Sequence, residues 1–304
     1  MEYKSVLYRT EGRLARITFS RPEKLNALSL DMEDEFLDAL VQADADDEVR
    51  VIVLNAAGRS FCSGYDMSST FIPDTPKSRR MLPTMLPDES GMELGEYLRA
   101  WRKNDLDITK TQFAISDCRK PVIAAVQGYC FGGGMFIALS CDITIAAENA
   151  VFGVPELRHI SNTHFVLVGL AGWKNAMRYS LSGDHVDAQE AYRINWVNEV
   201  VPTERLEEHT LKLAKRFAMI PLETLELNKA IIRRGFDIMG YRAAMMHWPE
   251  LGVLSHCSYR SDPRQKLKEA TERGGMREYI KVRDEPFRPE PFGPFSENPR
   301  APKP

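Results

Sequence analysis

The sequence predicts an α/β protein, a parallel-stranded core followed by a helical carboxy-terminal region. Three observations carry that expectation. Short β-branched runs alternate with stretches of helical spacing over the first two-thirds of the chain. A glycine triplet stands directly before an apolar run of helical length, and after Pro202 the helical pattern takes over.

Taken in order, Leu14 to Phe19 and Val49 to Leu54 read as strands. Between them Leu30 to Ala43 places apolar residues at helical spacing behind a cap at Ser29 or Asp31. Val122 to Val126, Gly133 to Leu139 and Ile143 to Ala146 repeat the strand, helix, strand order, which implies parallel strands joined by right-handed crossovers. Glu204 to Met219, Leu222 to Arg234, Gly240 to Leu254 and Pro263 to Arg273 read as helices, with Pro221 marking a break. Two stretches fall outside this pattern. Ser68 to Lys110 is polar, carries Pro73, Pro76, Pro83 and Pro87, and reads as a long loop that is either a lid or disordered. Pro286 to Pro304 is proline-rich, so it is either disordered or extended along a neighbour, and no chemistry is expected in it. The expected organisation is a core over 1–202, a helical subdomain over 203–283 and a tail over 284–304.

Composition excludes several function classes. Forty basic side chains against forty-three acidic ones leave a net charge of −3, so no polycation is present to hold nucleic acid or an anionic membrane. No apolar run approaches the ~20 residues that span a bilayer, and the first residues lack the apolar core of a secretory signal, so a soluble, cytosolic protein is expected. The 5 cysteines are scattered without CxxC spacing and read as reduced thiols. None of the 6 histidines forms an HxH or HExxH pair, so no metal site is expected.

The segment Gly128 to Ile143, GYCFGGGMFIALSCDI, carries the chemistry. Gly132, Gly133 and Gly134 have no Cβ, so a ligand oxygen can approach main-chain N–H groups where the first turn of a helix leaves them unpaired. Tight packing of a helix on a strand is the alternative use of the same triplet.

Four ordered motifs, RITFSRPEKLNALSLDM (16–32), VRVIVLNAAGRSFCSGYDM (49–67), KPVIAAVQGYCFGGGMFIALSCDITIAAENAVFGVPE (120–156) and LSGDHVDAQEAYRINWVNEVVP (181–202), resemble the crotonase superfamily, the enoyl-CoA hydratase/isomerase family. The resemblance implies a spiral of ββα repeats with terminal helices that build a homotrimer, commonly paired into a hexamer. It implies an acyl-CoA thioester substrate, coenzyme A entering as part of that substrate, and no separate cofactor. Two backbone N–H groups, at Tyr65 and Gly133, would form an oxyanion hole, and Glu156 in VFGVPEL would shuttle the proton. The FCSGYDM loop (Ser63, Asp66, Met67) and the RPEKLNAL turn (Lys24, Leu25, Ala27) would hold coenzyme A.

Departures from the family pattern narrow the chemistry. Hydratases place a second glutamate where this chain has Phe136, and a phenyl ring cannot hold water, so an isomerase or an atypical hydratase is expected. Hydrolases, C–C-cleaving members and a silent acyl-CoA binder remain alternatives. Phe136, Tyr65 and Trp101 hint at a restricted acyl pocket. Arg158, His159, Asn162 and His164 follow closely behind Glu156. His159, three residues on, is a candidate second base because imidazole titrates near neutrality, with a helix-cap or surface role as its alternative. Asp74, Asp88 and Glu89 are candidate sources of the missing acid, while Asp66 and Asp142 read as structural ties.

Overall fold

The computed structural model describes residues 3–66, 92–258, 262–297 and 299. Strands β1 (Val6–Glu11), β2 (Leu14–Phe19), β3 (Val51–Ala56), β4 (Val122–Val126), β6 (Ile143–Ala147) and β9 (Glu199–Val201) form one sheet in that spatial order. From β2 to β9 every pairing is parallel, with Ile17 opposite Leu54, Leu54 opposite Ala124, and Ala124 opposite Thr144. A smaller sheet holds β5 (Tyr129–Phe131), β7 (Val151–Gly153) and β8 (Val186–Asp187).

The central strands are apolar at consecutive positions because both faces of the sheet are covered. Ile17, Ile52, Leu54, Val122, Ala124 and Ala146 enter one hydrophobic cluster, while Val51, Val53, Ile123, Ala125 and Ile145 enter another. Helix α1 (Leu30–Ala45) closes the first face with Met32, Phe36, Ala39, Leu40 and Ala43, and the Ser29 hydroxyl accepts its Met32 N–H at 3.2 Å as the cap. Helix α3 (Gly133–Ser140) lies in the same cluster and is buried on nearly every side. Helix α6 (Leu206–Phe217) covers the opposite face through Leu206 and Ala214. Asp142 ties the layers together, accepting the Val122 N–H at 2.7 Å and the Lys229 ammonium at 2.7 Å.

Four expectations are corrected. β1 pairs antiparallel with β2 across a turn at Gly12, so the sheet is not parallel throughout. The long loop expected over 68–110 ends early, because Leu94–Asp117 is a 24-residue helix, α2. Its buried face, Tyr97, Trp101, Asn104, Asp105, Ile108 and Gln112, recurs every three or four residues, but polar side chains on that face hide the period. Met67, Asp74, Asp88 and Glu89 lie outside the described residues. The last helix also runs further than Arg273. After α4 (Val166–Ser182), α5 (Ala188–Arg193), α6, α7 (Leu222–Ile238) and α8 (Tyr241–Gly252), helix α9 spans Asp262–Asp284, leaving helical geometry at Gly274 and Gly275 and then resuming.

The fourth correction concerns the tail, whose described residues fold back on the chain's own body. The Glu290 side chain is fully buried and accepts the His185 N–H at 2.7 Å, a bond from the His185 ring at 2.8 Å and the Arg158 guanidinium at 2.9 Å. Arg158 also pairs with Asp284 at 3.0 Å and lies 4.4 Å over the Phe287 ring. Burial opposes ionisation of Glu290, but the hydrogen bonds from His185 and Arg158 outweigh it and hold the carboxyl below its usual range.

Glu290→Gln is expected to weaken tail docking by about 3 kcal/mol, because it removes one member of a buried ion pair. Faster amide hydrogen exchange over 285–297 and faster proteolysis there are the readouts. Glu290 and Asp284 both have lowered folded-state pKa values. Their stabilisation is therefore complete above the ordinary carboxylate range near pH ~4 and is lost as pH falls through the folded values. The wild-type tail should loosen on acidification, and the Gln variant should show less of that dependence.

Candidate active site

Two loops and the glycine triplet build the site. The turn after Pro22–Lys24 puts Leu25 and Asn26 at φ 50° and 53°, a left-handed conformation that Asn tolerates better than most residues. The Asn26 amide then spans the loops, accepting the Arg21 N–H at 2.7 Å and donating to the Ala57 and Ser60 carbonyls at 2.8 Å. Arg21 donates to the Ala27 carbonyl at 2.5 Å and pairs with Asp66 at 2.7 Å, so Asp66 ties segment 63–66 to segment 21–28. The Gly64 carbonyl accepts the Leu28 N–H at 2.8 Å. In a trans peptide the next N–H points the opposite way, so the Tyr65 N–H is turned away from Leu28.

Each glycine of the triplet is pressed by a different neighbour. A Cβ on Gly132 would stand 2.6 Å from the Glu156 Oε1, one on Gly133 would stand 2.5 Å from the Tyr65 ring, and one on Gly134 would stand 2.4 Å from the Cys62 Cβ. Gly132 adopts φ 49° and ψ −122° and donates to the Gly153 carbonyl at 2.9 Å. Gly133 opens α3, where an N–H has no intrahelical acceptor.

Glu156 stands in a short 3-10 turn, Pro155–Arg158, directly after β7. Burial raises its carboxyl pKa, while its own backbone N–H, the Arg283 charge and the Asn162 amide moderate the rise. The Asn162 Nδ2 donates to the Glu156 Oε1 at 3.4 Å, and the Asn162 Oδ1 meets the His164 Nε2 at 3.1 Å. Burial holds His164 neutral at ordinary pH, its pKa far below the usual imidazole value. Its Nδ1 faces the Gln112 Nε2 at 2.6 Å, which can only donate, so the His164 proton is assigned to Nε2 and donates to Asn162. A one-way chain, Gln112 to His164 to Asn162 to Glu156, fixes the orientation of the Asn162 amide.

Glu156 faces a cavity of about 540 Å³ whose wall also includes Lys24, Leu25, Ala27, Ser63, Tyr65 and Asp66. The structure thus brings together seven of the sequence-predicted site residues. Gly133 lies just behind this wall, against the Tyr65 ring. Two further predicted residues are off the wall. Phe136 was expected against the substrate, yet it is 1% exposed and stacks on the His164 ring at 3.6 Å, which stacks in turn on Trp248 at 4.1 Å. Full burial of α3 turns its ring into the core. His159 was expected beside the reaction, but its Nε2 meets the Tyr279 hydroxyl at 2.8 Å, and Tyr279 lines the cavity in its place.

The wall also holds residues that sequence reasoning did not assign. Asp105 and Asn104 come from α2, Tyr279 and Arg283 from α9, and Arg288 and Phe295 from the tail. The recurrence of Tyr97, Trp101, Ile108 and Ile115 at helical spacing was the available signal for α2. Among the described residues there is no cluster of three or more His, Cys, Asp or Glu side chains suited to a metal ion, and no helix long and apolar enough to cross a membrane. Cys62, Cys118, Cys130 and Cys141 are free thiols.

Known proteins match this architecture over most of its length. The family model described as enoyl-CoA hydratase/isomerase matches residues 9–77 and 90–247. A probable enoyl-CoA hydratase from Rhizobium meliloti (strain 1021) is 32% identical over 247 residues, 78% of this chain and 84% of that one. A peroxisomal Delta(3,5)-Delta(2,4)-dienoyl-CoA isomerase from Arabidopsis thaliana is 34% identical over 195 residues, 63% of this chain and 66% of that one. The crystal structure of an enoyl-CoA hydratase/isomerase from Xanthobacter autotrophicus Py2 superposes with a TM-score of 0.81 at 30% identity, covering 94% of this chain and 99% of that one. The chain therefore has the crotonase fold and belongs to the enoyl-CoA hydratase/isomerase family of enzymes.

Proposed function

We propose that this enzyme is an enoyl-CoA isomerase that forms a thioester enolate, with Glu156 moving the α proton. The observation that carries the proposal is the Glu156 carboxyl pressed against Gly132, one residue before the opening N–H of α3. In this reading the N–H groups of Tyr65 and Gly133 hold the thioester oxygen. One such donor is worth about 3 kcal/mol once charge develops on the oxygen. The raised pKa of Glu156 suits a carboxylate that takes a proton and returns it.

Absence of a carboxylate from α3 favours isomerisation over hydration, since Phe136 is turned into the core. A double-bond shift needs a base at one carbon and proton delivery at another, with no water gripped between two carboxylates. The relatives include a dienoyl-CoA isomerase as well as enoyl-CoA hydratases, so isomerisation lies within the range of their named activities. Lys24, Leu25, Ala27, Ser63 and Asp66 are the cavity-wall residues assigned to coenzyme A. Exposed Leu227, Ile231, Ile232 and Met239, in and just after α7, support assembly into a homotrimer or hexamer through the helical region. Asn162 is assigned as a positioning residue, aiming Glu156 through the chain that begins at Gln112.

Incubation with 3-enoyl-CoA in heavy water should give 2-enoyl-CoA carrying solvent deuterium, and Glu156→Gln should lower the rate at least ~100-fold while acyl-CoA still binds. A 3-hydroxyacyl product, or an active Gln variant, overturns the proposal. Asn162→Ala should lower kcat about tenfold with little change in KM, which matches the loss of one hydrogen bond to a charged group at ~1.4 kcal/mol. Steady-state kinetics measures the split, and a change confined to KM would remove the positioning role.

A further inference from the structure

A shift of a double bond requires protons to be handled at two carbons, and the cavity wall presents four described carboxyl groups, those of Asp66, Asp105, Glu156 and Asp284. Their partners separate them. Asp66 is paired with Arg21 at 2.7 Å, and Asp284 is paired with Arg283 at 2.7 Å and with Arg158 at 3.0 Å, so both are held as structural anions. Glu156 is the base of the proposed reaction. Asp105 differs from all three. It is 6% exposed, its carboxyl receives one side-chain hydrogen bond, from the adjoining Asn104 at 3.2 Å, and no cation pairs with it among the described residues.

The position of Asp105 is set by a rigid element. Trp101, Asn104, Asp105 and Ile108 follow one another on a single face of α2, and that face forms one wall of the cavity. Glu156 belongs to the turn after β7, so the two acidic residues line the same 540 Å³ space from separate elements. A buried carboxyl without a cation costs stability unless it is kept neutral or used.

Resting on the isomerase reading above, we infer that Asp105 is a second catalytic residue, the acid that delivers a proton to the carbon of the acyl chain remote from the thioester. The step balances. The Glu156 carboxylate removes a C2 proton from a 3-enoyl thioester, and the C–H electron pair moves into the carbonyl to give a dienolate. As that charge returns, the C2–C3 double bond forms, the C3–C4 π pair takes the Asp105 proton at C4, and the product is the 2-enoyl thioester. Glu156 ends protonated and Asp105 ionised, and exchange with water restores both. Burial pushes the Asp105 carboxyl up to about 7, which keeps a proton available on it near neutral pH. Burial raises the Glu156 carboxyl as well, while the Arg283 charge and the Asn162 amide favour its carboxylate form.

Two thioesters in heavy water test the inference. Hexanoyl-CoA has no C3–C4 double bond and reports C2 exchange alone, while trans-3-hexenoyl-CoA must take a proton at C4 to become 2-hexenoyl-CoA. Asp105→Asn should leave C2 exchange of hexanoyl-CoA within about threefold of wild type and slow conversion of trans-3-hexenoyl-CoA by at least ~100-fold. Asp105→Glu should restore part of the conversion. An Asn variant that converts trans-3-hexenoyl-CoA at the wild-type rate overturns the inference, and so does one that loses both reactions together, since Asp105 would then only shape the cavity. Failure of the wild-type enzyme to place solvent deuterium in either thioester instead rejects the enolate reading itself.

Discussion

Three consecutive residues without side chains allow three separate walls to meet. Glu156, the Tyr65 ring and Cys62 each occupy the space that a Cβ would take on Gly132, Gly133 and Gly134 respectively. Contacts of 2.4 to 2.6 Å lie far inside ordinary van der Waals separation, so an alanine at any of these positions would force a neighbour to move. The stability cost of such overpacking is commonly ~1–3 kcal/mol. Displacement matters more, because the groups displaced are the carboxyl of Glu156 and the segment that presents the Tyr65 N–H. Hydrogen bonds between Cys62 and the β5 strand, and between Gly132 and Gly153, hold the same three segments in register.

Electrostatic differences within the cavity follow from which carboxyls have a cation beside them. Asp66 and Asp284 are held ionised by arginines, and Glu156 feels Arg283 at a distance while Asn162 donates to it. Among the described residues, the Asp105 carboxyl receives a side-chain hydrogen bond from its neighbour's amide and pairs with no cation. Burial thus raises the Glu156 and Asp105 carboxyls, while the arginine beside Asp284 holds that carboxyl below its usual range. His164 adds a neutral, stacked ring between Phe136 and Trp248, so the hydrogen bond that orients Asn162 is anchored in the core.

Much of the fold was visible in the chain because it follows simple periods. β2, β3, β4 and β6 are β-branched or small apolar runs, and α1 repeats its buried residues at helical spacing behind a serine cap. Glu156 and Tyr65 could be placed at the cavity, and Gly133 against the Tyr65 ring, because they stand inside contiguous motifs. What was hidden was set by tertiary contact. β1 is mostly exposed and gains its identity only by pairing with β2. α2 carries Asn, Asp, Thr and Gln on its buried face, which weakens its period, and this is also why Asp105 escaped notice. Phe136 was placed by standing where related hydratases carry a glutamate and His159 by its closeness to Glu156, yet stacking on His164 and the bond to Tyr279 draw them aside. The tail's charged anchors, Arg158, His185 and Glu290, are far apart in sequence and meet only on folding.

That meeting has a bearing on biosynthesis. The cavity wall is assembled from residues as distant along the chain as Lys24 and Phe295. A ribosome working from the amino end exposes the first of these long before the last, so the wall cannot be complete until Phe295 has emerged. Arg288 and Phe295 join the wall only when the segment around Glu290 is docked on His185 and Arg158, so closure of the chamber is coupled to that docking.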